Sequence, residues 1–232
     1  MADRLILDWP SHGPFLDRLD RALRLLAVSD EPDASLESYR TRHALGDIDL
    51  VVGCGDLEPD YLAFLADAFN APLAYVRGNH DVGRAWAGRE RVMLPEPLVD
   101  GRPHVEQGLP LLGFSGSPRY APRSGAAAEQ QVSGIAMWRR VLAAWPRAMW
   151  HGALLVVSHA APRGANDAPD PAHRGFTSFR WFLDRLAPPL WLHGHTALVR
   201  RGVTDRCWRH RETLLVNVTG AVLIELRPPA SH

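Results

Sequence analysis

The residues with the most chemistry in this chain stand at the ends of short apolar runs. Asp30 closes the run 24–30 and Asp56 closes 49–56. Asn79, His80 and Asp81 close 73–81, His159 falls near the end of 153–160, and His193-Gly194-His195 lies within 190–196. Carboxylates, an amide oxygen and imidazoles form a mixed oxygen and nitrogen donor set. Such a set suits Mn²⁺, Fe or Zn²⁺ better than Mg²⁺ or Ca²⁺, which favour all-oxygen surroundings. Each residue alone has a plainer role: a helix cap for Asp30 or Asp56, a turn for Asn79, a satisfied polar group for a lone histidine. Their recurrence at successive strand ends is what points to a common metal-binding edge, because open α/β sheets bind ligands beyond the carboxyl ends of their strands.

The elements that must position these groups are legible in outline. Apolar runs at 24–30, 49–56, 73–81, 111–116, 153–160, 190–196 and the pair spanning 212–227 are short and bounded by turn formers, the pattern of strands buried on both faces. Between them, 60–69, 128–149 and 178–187 carry apolar residues at three-to-four spacing and predict helices. On the second of these, Ile135, Trp138, Val141, Leu142 and Trp145 are expected to form the packing face, with Trp150 beside them. Strands alternating with helices make this an α/β layered fold. The segments 115–127 and 161–175 are rich in Gly, Pro and Ser or Asp and read as loops. The strand pattern resumes after each, so residues 1–232 are expected to form a single domain.

Composition narrows the function classes. The chain has 232 residues, 46% hydrophobic and 22% charged, the balance of a folded protein. Its 26 basic residues are all arginine and are matched by 26 acidic ones. The absence of lysine excludes Schiff-base and P-loop chemistry, and the zero net charge argues against a dedicated nucleic-acid binder. Cys54 and Cys207 are too few for a disulfide framework or a cysteine-rich zinc site, and Cys54 is expected to be buried filler. With no apolar run long enough for a signal peptide or a membrane helix, a cytoplasmic protein is expected.

The ordered set Gly55-Asp56, Gly78-Asn79-His80-Asp81, His159 and Gly194-His195 resembles the calcineurin-like metallophosphoesterases, with motifs running from residue 24 to about 220. The resemblance implies a four-layer α/β/β/α sandwich that hydrolyses phosphomonoesters or phosphodiesters with a metal-activated water. It implies Asp56 as the carboxylate bridging two metals, Asn79, His159 and His195 as the remaining ligands of one site, and Asp30 as a ligand of the other. His80 would contact the scissile phosphate and protonate the leaving oxygen. A divalent ion is implied, Mn²⁺ first, with Fe, Zn²⁺ or Mg²⁺ as alternatives and one or two per chain. A small phosphorylated substrate is the expected partner.

Two departures from the family pattern fall on one metal. Where the family has Asp-x-His, this chain has Asp30-Glu31-Pro32; where it has Gly-His-x-His, this chain has Gly194-His195-Thr196-Ala197. Glu31 and Asp33 are the nearby residues that could substitute. The alternatives are one tight ion with a second recruited by substrate, or a fold kept as a ligand- or protein-binding scaffold without turnover. In the loop 161–175, Arg163 is a candidate for bidentate contact with phosphate oxygens and His173 for a hydrogen bond at the site. Asp167 and Asp170 read as turn residues, and His193 as a hydrogen-bonded neighbour of the site. The arginines 200, 201, 206, 209 and 211 beside Trp208 read as a solvated hairpin.

Overall fold

Apolar residues that alternate along a strand can pack against two different layers, and this chain uses that property throughout. The structure is a computed structural model that describes residues 2–19, 21–120, 130–198 and 202–229. One sheet contains β1 (Asp3–Asp8), β2 (Leu23–Ser29), β3 (Leu50–Gly53), β4 (Leu73–Tyr75) and β13 (Gly220–Arg227), in the order β1-β13-β2-β3-β4. The other contains β5 (Pro103–Glu106), β6 (Leu109–Phe114), β9 (Leu155–Ser158), β10 (Leu190–His193), β11 (Cys207–His210) and β12 (Thr213–Asn217), in the order β11-β12-β10-β9-β6-β5. A small pair, β7 (Ser117–Pro118) and β8 (Gln131–Val132), lies between β6 and α4 in the chain.

The strands that carry the candidate donors run parallel. In the first sheet β2, β3 and β4 are parallel neighbours; in the second, β6, β9, β10 and β12 are. Leu25 and Ala27 of β2 face inward and share a core with Leu155 and Val157 of β9 and Leu190 and Leu192 of β10. Leu26 and Val28, one residue out of step, pack outward with Leu62 and Leu65 of α2 (Pro59–Ala68) and Leu45 of α1 (Tyr39–Leu45). On the other side Val156 and Trp191 pack with Met137 and Val141 of α4 (Gly134–His151) and Phe179 and Phe182 of α5 (Thr177–Leu186). Helix, sheet, sheet, helix: the four-layer sandwich is present. Two single-turn helices, α3 (Arg84–Ala87) and α6 (Val203–Arg206), also occur among the described residues.

Several expectations need correction. The α4 packing face is Met137, Val141, Ala144 and Ala148, whereas Ile135, Leu142 and Trp150 are exposed. Residues 137, 141, 144 and 148 form the stripe that meets the sheet, and aromatic size elsewhere on the helix does not outweigh that geometry. Trp138 and Trp145 lie on its border, against Trp181. Of the basic stretch, β11 and β12 do form a hairpin, but Arg206 is buried, donating to Asp3 Oδ2 at 2.5 Å and to the carbonyls of Asn217 and Thr219. Arg200 and Arg201 lie outside the described residues. Strands β1, β5 and β11 are edge strands that the apolar runs did not announce.

Candidate metal centre

The chain leaves β2, β3 and β10 through residues forced into the left-handed region. Asp30 has φ 61°, Asp56 φ 56° and His195 φ 64°. A non-glycine residue held there costs on the order of 1–3 kcal/mol, and such strain gathers at functional sites. Hydrogen bonds fix the ends of neighbouring strands: Asp30 N–H donates to Gly55 O at 3.1 Å, and Gly194 N–H to His159 O at 3.0 Å. The two sheets are tied to each other as well. His195 N–H donates to both oxygens of Asp30, at 2.9 and 3.2 Å, and His159 Nδ1 lies 2.9 Å from Cys54 O. Glycine is needed for this closeness. A Cβ on Gly78 would overlap the Asp56 carboxylate, and one on Gly194 would overlap Ser29 Oγ and the Asp30 carboxylate.

Four donors converge at the centre. Asp56, His159 and His195 each present a ligand atom, all within 4.8 Å of one another. Asn79 Oδ1 is 3.0 Å from His159 Nε2, and Asp56 Oδ2 is 3.3 Å from the same nitrogen. Main-chain carbonyls set the tautomers: Nδ1–H of His159 donates to Cys54 O, and Nε2–H of His195 donates to Ala172 O at 2.7 Å. This leaves Nε2 of His159 and Nδ1 of His195 as the lone-pair nitrogens, the partner arrangement that orients metal-ligating histidines. Oxygen and nitrogen lone pairs packed this closely repel unless a cation or proton sits among them. The donor set therefore fits a divalent ion.

The protonation pattern agrees. Burial alone would lower the His159 pKa, but the hydrogen bond and charge of Asp56 outweigh it and raise the imidazole to about 9. Burial likewise opposes ionisation of Asp56, yet contact with His159 and the N–H of His80 holds its pKa below the ordinary carboxylate value. Burial, with the charge of His159, pushes His195 down to about 3, so its imidazole is neutral. A proton on His159 thus occupies the place a metal ion would take, and metal must displace it.

Asp81 supports the centre from below. Only 2% exposed, it accepts from Asp56 N–H at 2.9 Å and Gly78 N–H at 2.7 Å, both at Oδ2, while Arg77 holds its carbonyl. It serves the backbone of both turns rather than the ring of His80. His80 donates its own N–H to Asp56 Oδ1 at 2.8 Å, and its exposed ring places Nε2 4.0 Å from Asp56 Oδ2.

A cavity of about 370 Å³ opens above these groups, lined by Asp30, Asp56, Asn79, His80, Tyr120, Ala172, His173 and His195. His173 is anchored by Asp170, whose Oδ1 lies 2.9 Å from its Nδ1. Arg163 does not line the cavity; its guanidinium pairs with Asp167 at 3.6 Å. Asp167 also accepts from the N–H groups of Gly164 and Gly175, which makes it a loop-closing residue as its composition suggested. His193 is buried, bonded to Asn166 Nδ2 at 3.0 Å, and lowered to about 4 by burial. Glu31 and Asp33 line a separate cavity of about 90 Å³ with Asp3 and Arg206, and Asp33 caps a short helix by accepting from Ser35 N–H. Tyr120 and the carbonyls of Cys54 and Ala172 were not singled out from sequence. For the carbonyls no sequence signal exists, because every residue has one.

Comparison with known proteins agrees with this fold. The profile of the calcineurin-like phosphoesterase family matches residues 12–198. No curated protein sequence matches the chain. The crystal structure of the protein TT1561 of Thermus thermophilus is similar at 15% identity and TM-score 0.58, covering 86% of this chain and 90% of that one. A putative 5'-nucleotidase from Staphylococcus aureus, solved in complex with alpha-ketoglutarate, is similar at 11% identity and TM-score 0.53. It is matched over 91% of this chain and 55% of its own length. At these identities the likeness is one of fold.

Proposed function

Since the chain belongs to the calcineurin-like phosphoesterase family, we propose that it is a metal-dependent hydrolase of phosphate esters acting at this cavity. The observation that carries the reading is the convergence of Asp56, Asn79, His159 and His195 at a strand-end cavity. A divalent ion held there supplies Lewis acidity to the phosphoryl group and acidifies water. Mn²⁺ is the first choice, because two imidazoles with a carboxylate and an amide oxygen suit a borderline ion.

The protein groups have distinct tasks. Asp56 and Asn79 hold the ion from the first sheet, and His159 and His195 hold it from the second. His80, at the cavity mouth beside Asp56, donates a proton to the departing oxygen. His173, with Nδ1 committed to Asp170, keeps Nε2 for a non-bridging oxygen of the ester. The substrate is a small phosphorylated molecule, and the chain works in the cytoplasm; among the described residues no helix is long and apolar enough to cross a membrane.

The test is turnover of p-nitrophenyl phosphate and bis(p-nitrophenyl) phosphate by chelator-stripped protein with added Mn²⁺, alongside His159→Ala. Metal-dependent release of p-nitrophenol by the wild type, lost in the variant, supports the proposal. Binding of phosphate without turnover of either ester would overturn it in favour of a scaffold.

A further inference from the structure

Among the described residues the centre has donors for one ion, and Asp30 is engaged in another task. Both Asp30 oxygens accept the N–H of His195, Thr219 Oγ1 lies 3.4 Å from Oδ2, and the carboxylate fills the space a Gly194 side chain would need. His195 is thereby held at two points, its N–H by Asp30 and its Nε2 by the Ala172 carbonyl. Beyond Asp30, a second ion finds few ligands. Asp56 Oδ1 is occupied by the N–H of His80, and Oδ2 is turned toward His159. Pro32 offers no side-chain donor, and Ala197 is exposed and offers none either. Glu31 and Asp33 line the other cavity. Asp30 is absent from the donor cluster found among the described residues.

We infer that the centre holds a single resident ion, and that Asp30 is a positioning residue that clamps the Gly194-His195 turn instead of ligating metal. This rests on the reading of the site as a metal centre. It gives the site one ion where the family resemblance implied two, and it assigns the Asp30 carboxylate to hydrogen bonding. An asparagine can do that work, since its Oδ1 still accepts the His195 N–H. An alanine cannot, and loss of such a supporting group costs about 10- to 100-fold in metal affinity.

The experiment is metal content per chain after loading with excess Mn²⁺ and desalting, together with Mn²⁺ affinity, for wild type, Asp30→Asn and Asp30→Ala. The inference expects one Mn²⁺ in wild type and in Asp30→Asn with similar affinity, and an affinity at least about tenfold weaker in Asp30→Ala. Two ions in wild type, with one lost in Asp30→Asn, would overturn it while leaving the hydrolase reading intact. No bound ion in folded wild type would overturn both. Asp30→Asn decides the matter even where Asp30→Ala fails to fold.

Discussion

Removing the Asp81 carboxylate should damage the centre more than removing its charge. Its Oδ2 is the acceptor for two backbone N–H groups, Asp56 at 2.9 Å and Gly78 at 2.7 Å, in a position 2% exposed. Alanine leaves both donors without a partner, at about 1–3 kcal/mol each. A central figure of about 4 kcal/mol for the two lowers Tm by about 8–16 °C in a domain of this size. Asparagine keeps one oxygen at the same place. Burial has already raised the carboxyl pKa to about 6, so a neutral amide loses little by replacing it. The assay is thermal unfolding of chelator-stripped protein at pH 8, followed by Mn²⁺ titration. Asp81→Ala should show the full drop in Tm and weakened Mn²⁺ binding, and Asp81→Asn should stay within about 1 kcal/mol of wild type. If alanine is as stable as wild type, or asparagine as damaged as alanine, the assignment of Asp81 to the two turns is wrong.

Other consequences are open to direct measurement. The His159 pKa is raised above its unfolded value, so the pairing with Asp56 stabilises metal-free protein fully below about 6.5 and is lost as pH rises through about 9. Metal replaces that proton, so the gain in Tm on Mn²⁺ loading should grow from pH 6.5 to 9; a constant or shrinking gain would contradict it. Calorimetry at about pH 7.5 in buffers of different ionisation enthalpy should report close to one proton released per Mn²⁺ bound, and no release would exclude a protonated His159. Gly78→Ala places a methyl group on the Asp56 carboxylate, so Mn²⁺ binding should fall at least about tenfold in whatever folded protein is recovered.

The donors were legible because each stands where an apolar run breaks, and the parallel sheets bring those breaks to one edge. That regularity marks the edge; the choice of Asp56, Asn79, His159 and His195 as ligands of one ion is what the family resemblance implies, and the structure brings Asp56, His159 and His195 within 4.8 Å of one another. The edge strands β1, β5 and β11 were not legible, because short strands with one partner and partly exposed residues carry no buried run; Ile6 and Val105 are 45% and 53% exposed. The face of α4 was not legible because its contact with the sheet is made partly by the small Ala144 and Ala148, while bulkier Ile135 and Leu142 lie outside it. The least legible part is the network holding the ligands. Cys54 and Ala172 act through carbonyls, and the Thr219 hydroxyl lies beside Asp30 from far along the chain. Asp81, which adjoins His80 in sequence, acts through two backbone N–H groups of the turns and not through the His80 ring.

The most direct test of the account is to titrate chelator-stripped protein with Mn²⁺ and record ester hydrolysis against metal bound per chain. The account predicts no turnover without metal, and a rate that rises in proportion to occupancy of the Asp56, Asn79, His159 and His195 centre until that centre is full. Turnover in stripped protein, or none at full occupancy, would contradict it.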